Sequence, residues 1–224
     1  MITANIASSL QKAFEPYAAY FSANLHKFLA AIAEHFWLSG GALLIATVAG
    51  VSFGVLCARN KTANLVITSV FSAARIIPSL AILFLCLPLL GTGFKPSIVA
   101  LIFLALPPIL MNTAVSFASV PAAILEAAAA MGMTTVQIFC KVKAPLALPL
   151  VLAGFKTAAV EVVASATLAA YIGGGGLGVI IFTGLGLMRT ELLVIGGASV
   201  ALLSILIDFL LSGLEKKVQT ALFG

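Results

Sequence analysis

"EAAAAMGMTTVQIFCKVKAPLALP", from Glu126 to Pro149, reads as a helix, a glycine stop and a second, basic helix. Just upstream, Pro121 suits a first helical turn, the alanines favour helix, and Gly132 suits the end. Thr134 and Gln137 have capping-box spacing, so a second helix is expected to about Lys143, with Pro145 ending it. One carboxylate and two lysines sit here, in a chain that is otherwise nearly all hydrocarbon. The residues describe a compact elbow that faces water. Its small-residue face would let another protein's surface approach closely. A cytoplasmic loop that is merely helical fits the same residues equally well.

The rest of the chain is built for lipid. Of its 224 residues 62% are hydrophobic and 8% charged, with a mean hydropathy of +1.21. A soluble domain carries about 25% charged residues, and ~20 apolar residues suffice to cross a bilayer. The fold class is therefore an all-α polytopic membrane protein, since a barrel needs alternating strands of ~10 residues. The net charge of +5 fits basic residues gathered in cytoplasmic loops and does not call for nucleic acid. Cys57, Cys86 and Cys140 are odd in number and scattered, which suits small core residues and no disulfide framework. His26 and His35 lie near no acidic or cysteine cluster, so no metal site is expected.

Five stretches are long enough to span: about 36–57, 63–90, 97–117, 146–171 and 192–211. Arg75, Pro78 and Pro88 interrupt the second. The first 35 residues mix polar and apolar groups and are expected to form a separate amphipathic leader at the interface. A transmembrane core of 36–217, with the elbow at 119–145, would then end in a short tail of 218–224. With the N-terminus outside, Arg59, Lys61, Lys141, Lys143, Lys216 and Lys217 fall inside, close to span ends where charge sets orientation. The C-terminus and the elbow are then cytoplasmic. "GGGGLG", Gly173 to Gly178, formally matches a dinucleotide-binding pattern but lacks the strand–turn–helix context. Gly173, Gly174, Gly175, Gly176 and Gly178 better suit a tight turn at the outer mouth.

Glu126-Ala127-Ala128, Gly132 and Val142-Lys143-Ala144-Pro145 together resemble the EAA motif of ABC-importer permeases. Val142 and Ala144 stand where isoleucine and leucine are usual. "IPSLAILFLCLPLLGTG" (77–93), "PPILMNT" (107–113), "ATLAAYIGGGGLG" (166–178) and "IDFLL" (207–211) look like permeases of osmoprotectant importers, which carry glycine betaine, choline and carnitine. Methionine-importer permeases are the nearest rival. The resemblance implies a type I importer permease that hydrolyses nothing itself and needs no cofactor. It also implies two copies of a cytoplasmic ATP-binding subunit docked on the elbow, and a second permease copy or paralogue. A separate extracytoplasmic substrate-binding protein would deliver solute at the glycine loop. The setting would be a bacterial inner membrane, with lipid around the spans. A passive channel or a membrane enzyme is the reading from another class.

Two charges depart from that family pattern. Counted from their inner span ends, Arg75 and Glu161 lie roughly 18 and 22 Å deep at ~1.5 Å per residue. Charge at such depth costs ~2.5–3.5 kcal/mol and needs a partner or a wet cavity. The spacing predicts an ion pair between Arg75 and Glu161, either lining or gating a pathway or stapling two helices. Asp208 is expected to find water or Lys216.

Overall fold

Alternating long helices build the chain, as the computed structural model shows for residues 2–223, with side chains described from 14 to 222 except at 61, 63 and 74. Helix α1 (Ile2–Cys57) turns at Ala58–Asn60 into α2 (Lys61–Ala74), and α3 (Ser79–Leu90) follows a break at Arg75–Pro78. Next come α4 (Phe94–Ser119), then α5 (Ala122–Ala130) and α6 (Thr135–Ile138) of the elbow. Helices α7 (Ala144–Ser165), α8 (Gly178–Gly186) and α9 (Thr190–Phe223) complete the chain.

Two features of the expected organisation take a different form. Among the described residues, four single helices are long and apolar enough to cross a membrane: Phe14–Cys57, Phe94–Ser119, Thr135–Ile172 and Thr190–Leu222; Asn64–Ala73 and Ser79–Leu90 are shorter apolar helices. The expected second span is instead a broken helix, because Pro78 supplies no amide donor and its fixed φ of −57° starts α3 afresh. Neither residue 35 nor residue 217 ends a helix. The chain passes residues 34–36 within a helix and leaves helical geometry at Asn24 (φ −128°, ψ 15°), where two helices meet in a kink and the side-chain amide donates to the Tyr20 carbonyl. Likewise α9 runs on to Phe223.

The core sits where α1, α4 and α7 meet. Leu38, Ala42 and Ala46 of α1 pack with Leu101, Ala105 and Ile109 of α4 and with Ala158 and Val162 of α7. Small residues at these positions let the backbones approach, which replaces the hydrophobic drive that lipid does not supply. Gly50 and Gly54 of α1 show this most directly: a Cβ on Gly50 would lie 2.9 Å from Ile109 Cγ2, and one on Gly54 would lie 2.6 Å from Thr113 Cβ. The G-x-x-x-G spacing of "GVSFG", residues 50 to 54, is the sequence signal of this close approach. Outward, Trp37, Leu44, Val48, Leu202 and Phe209 are exposed, as a lipid-facing surface requires.

Candidate functional site

The elbow folds much as its residues dictate. Pro121 precedes α5, and Gly132 takes φ +79°, a left-handed conformation that a side chain disfavours. Thr134 and Gln137 close the capping box, with Thr134 N–H donating to Gln137 Oε1 at 2.8 Å and Gln137 N–H to Thr134 Oγ1 at 3.3 Å. Pro145 does not end the second helix. A π-helical turn over Phe139–Lys143 carries α6 into α7, and the Ala144 amide donates to the Phe139 carbonyl. Pro145 has no donor to place, so it is accommodated in the first turn of α7.

The elbow's alanines do not share one face. Glu126 and Ala127 are exposed, whereas Ala128 is 2% exposed and turned into the protein. Val142, Ala144 and Pro145 are half-buried at the base. The Phe117 ring of α4 stacks on Phe139 of the elbow at 5.6 Å, and at the elbow's base Ser116 Oγ of α4 donates to the Ala147 carbonyl of α7 at 2.6 Å. Cys140 is exposed here, contrary to its expected core role, while Cys57 and Cys86 are buried.

At the opposite ends of α4 and α7, a 3₁₀ helix over Ala166–Ile172 leads into the glycine loop. The loop grips α1. The Gly176 amide donates to Glu34 Oε2 at 3.0 Å, and the Gly93 amide donates to the Ile172 carbonyl at 2.6 Å. His35 is fully buried one residue on, with Nε2 3.0 Å from the Val163 carbonyl. Beside the loop lies a cavity of about 510 Å³ whose lining includes Lys27, Glu34, Gly176, Thr183 and Arg189. No group of three or more His, Cys, Asp or Glu that could hold a metal occurs among the described residues.

Arg75 and Glu161 are brought together but not joined. Both line one cleft of about 180 Å³ at the α2–α3 break, yet the ion pairs among the described residues are Lys156–Glu215 and Arg189–Glu191. The expected Arg75–Glu161 pair is therefore absent, because the irregular turn over Arg75–Pro78 leaves the arginine exposed. Sequence reasoning missed Lys156–Glu215, which closes at 2.8 Å with Ser212 Oγ 3.3 Å from the same ammonium. Its partners are 59 residues apart, and only the pairing of α7 with α9 reveals them.

An elbow at one end, a glycine loop at the other and a broken helix between them suit a transport subunit. Residues 50–220 match the family described as binding-protein-dependent transport system inner membrane component. The chain belongs to that family. Among its relatives, the carnitine transport permease protein OpuCB of Listeria monocytogenes is 40% identical over 200 residues, covering 89% of this chain and 91% of that protein. The choline transport system permease protein OpuBB of Bacillus subtilis (strain 168) is 39% identical, covering 84% and 87%. An inward-facing structure of the MetNI methionine ABC transporter aligns with a TM-score of 0.72 over 85% of this chain and 95% of that one. At 23% identity that likeness speaks for the fold alone. The permease is thus a multi-pass inner-membrane transport component with a non-catalytic role.

Proposed function

We propose that the permease forms the transmembrane pathway of an ATP-driven importer for quaternary-amine osmolytes of the glycine betaine, choline and carnitine type. The observation that carries this reading is the 39–40% identity, across more than four-fifths of the chain, to permeases named for carnitine and choline transport. A separate extracytoplasmic binding protein delivers the solute at the loop Gly173–Gly178, beside the cavity that holds Lys27 and Arg189. Two cytoplasmic ATPase subunits dock on the elbow, one per permease, and the second permease is another copy or a similar chain. The N-terminus lies outside and the C-terminus in the cytoplasm.

The coupling follows from rigidity. Glu126 and Ala127 are exposed on the elbow for the ATPase to hold, and Gly132 sets the angle between α5 and α6. Closure of the ATPase pair moves the elbow, and the Phe117–Phe139 stack with the Ser116–Ala147 hydrogen bond carries that movement into α4 and α7. Those two helices flank the cleft of Arg75 and Glu161, which lines the route. The pathway then alternates between inward-facing and outward-facing forms.

The test is uptake into vesicles holding the permease with its cognate ATPase and binding protein. Labelled glycine betaine, carnitine, choline and methionine are compared side by side. ATP-dependent uptake of at least one quaternary amine, and none of methionine, is the expected result. Methionine uptake alone, or uptake independent of ATP, would overturn the proposal.

A further inference from the structure

The break between α2 and α3 holds two opposite charges that satisfy no other described residue. Arg75 and Glu161 make no ion pair or side-chain hydrogen bond, yet they line the same cleft of about 180 Å³ together with Ser79, Phe103 and Ser165. Unpaired charge at membrane depth is costly and marks a wet cavity or a ligand pathway. Secondary transporters place such sites at broken helices near the bilayer midplane. The volume is below the ~300–1,000 Å³ of pockets for drug-sized ligands, so the occupant is a molecule of few heavy atoms.

We propose that this cleft is a membrane-depth binding site for a small dipolar ion, with a carboxylate on Arg75 and a quaternary ammonium between Glu161 and Phe103. The inference rests on the substrate class proposed above and adds where, and by which groups, the permease itself holds the solute. Guanidinium matches a carboxylate with two parallel donors. A trialkylammonium group has no N–H to give, so it is held by a carboxylate's field and by the face of an aromatic ring. Phe103 lines the cleft and is exposed, leaving its ring available. Ser79 opens α3, whose N-terminal end adds positive potential for a ligand carboxylate. Each end of a zwitterion thus meets its complement. A solute with only the cationic end uses Glu161 and Phe103 and leaves Arg75 idle.

That asymmetry gives the test. In vesicles with ATPase and binding protein present, Arg75→Gln should lower glycine betaine uptake about ten-fold or more, the loss of one charged hydrogen-bonding partner. Choline, which has no carboxylate, should change by less than about two-fold. Glu161→Gln should lower both. Arg75→Lys, which keeps the charge, should retain most betaine uptake and guards against a folding defect in the glutamine variant. Equilibrium binding of labelled glycine betaine to the permease–ATPase complex without binding protein should be detectable for wild type and lost in Arg75→Gln. If Arg75→Gln affects betaine and choline alike, or neither, the site assignment is wrong although the osmolyte reading stands. If wild type carries neither solute, the substrate class falls, and this inference with it.

Discussion

Glu34 of α1 accepts a hydrogen bond from the Gly176 amide at 3.0 Å, although 142 residues separate them. The next residue, His35, donates from Nε2 to the Val163 carbonyl of α7 at 3.0 Å. One turn of α1 is thus clamped between the glycine loop and α7. Gly176 sits at φ +80°, and a Cβ there would lie 3.1 Å from His35 Nδ1. Left-handed backbone costs a side-chain-bearing residue ~1–2 kcal/mol, and at this size each kcal/mol moves the melting point by ~2–4 °C. Gly176→Ala should therefore lower the thermal midpoint of the purified permease by several degrees. An unchanged midpoint would mean that the loop does not clamp α1.

The elbow offers a pair of neighbouring positions that separate docking from folding. Ala127 is exposed and Ala128 is buried in the permease itself. Ala127→Asp should leave the thermal midpoint within about a degree, as surface changes do, yet abolish co-purification of the ATPase and ATP-dependent uptake. Ala128→Asp should destabilise the permease, because a buried unpaired carboxylate has no compensation. Pull-down and melting curves on both variants decide it. Equal ATPase retention by Ala127→Asp and wild type would remove the elbow as the docking surface.

Much of this was legible before any coordinates. The elbow announced itself because Pro121, Gly132 and the Thr134–Gln137 pair act locally, through hydrogen bonds and backbone angles that neighbouring residues fix. The resemblance to osmoprotectant permeases rested on short blocks in order, and the relatives agree with it. What failed was longer in range or subtler in sign. Pro145 looked like a helix end, but a π turn absorbed it. The leader's boundary was expected near residue 35, whereas the backbone departs from helix at Asn24. Arg75 and Glu161 were placed in one neighbourhood by depth alone. Depth cannot show whether a helix break holds two side chains apart.

Lys156 on α7 and Glu215 on α9 form the ion pair that the linear sequence hid, and both side chains are 26% exposed. Exposed pairs contribute ~0.2–1 kcal/mol. Removing one partner of a less exposed pair costs more, because the other charge is left uncompensated. Lys156→Met and Glu215→Gln should each destabilise the packing of α7 on α9. The double variant should be less damaged than the sum, with a coupling of about 1 kcal/mol, near the top of the exposed range. A double-mutant cycle on thermal or denaturant unfolding measures it. Strict additivity would show that the contact contributes nothing.

The sharpest stability contrast lies between two glycines of α1. A Cβ at Gly54 would come within 2.6 Å of Thr113 Cβ and 2.9 Å of the Leu110 carbonyl on α4. Thr113 cannot simply turn away, because its buried hydroxyl donates to the Ile109 carbonyl at 2.7 Å. Gly54→Ala must therefore push α1 from α4, an overpacking change that costs ~1–3 kcal/mol. Gly40, on the same helix, has nothing within 4 Å of an added Cβ. There the substitution only relieves glycine's helix penalty, a gain of ~0.5–1 kcal/mol. The same chemical change is thus expected to lower the melting point at residue 54 and to hold or raise it at residue 40. If both variants shift in one direction, close approach of α1 and α4 is not what glycine provides at Gly54.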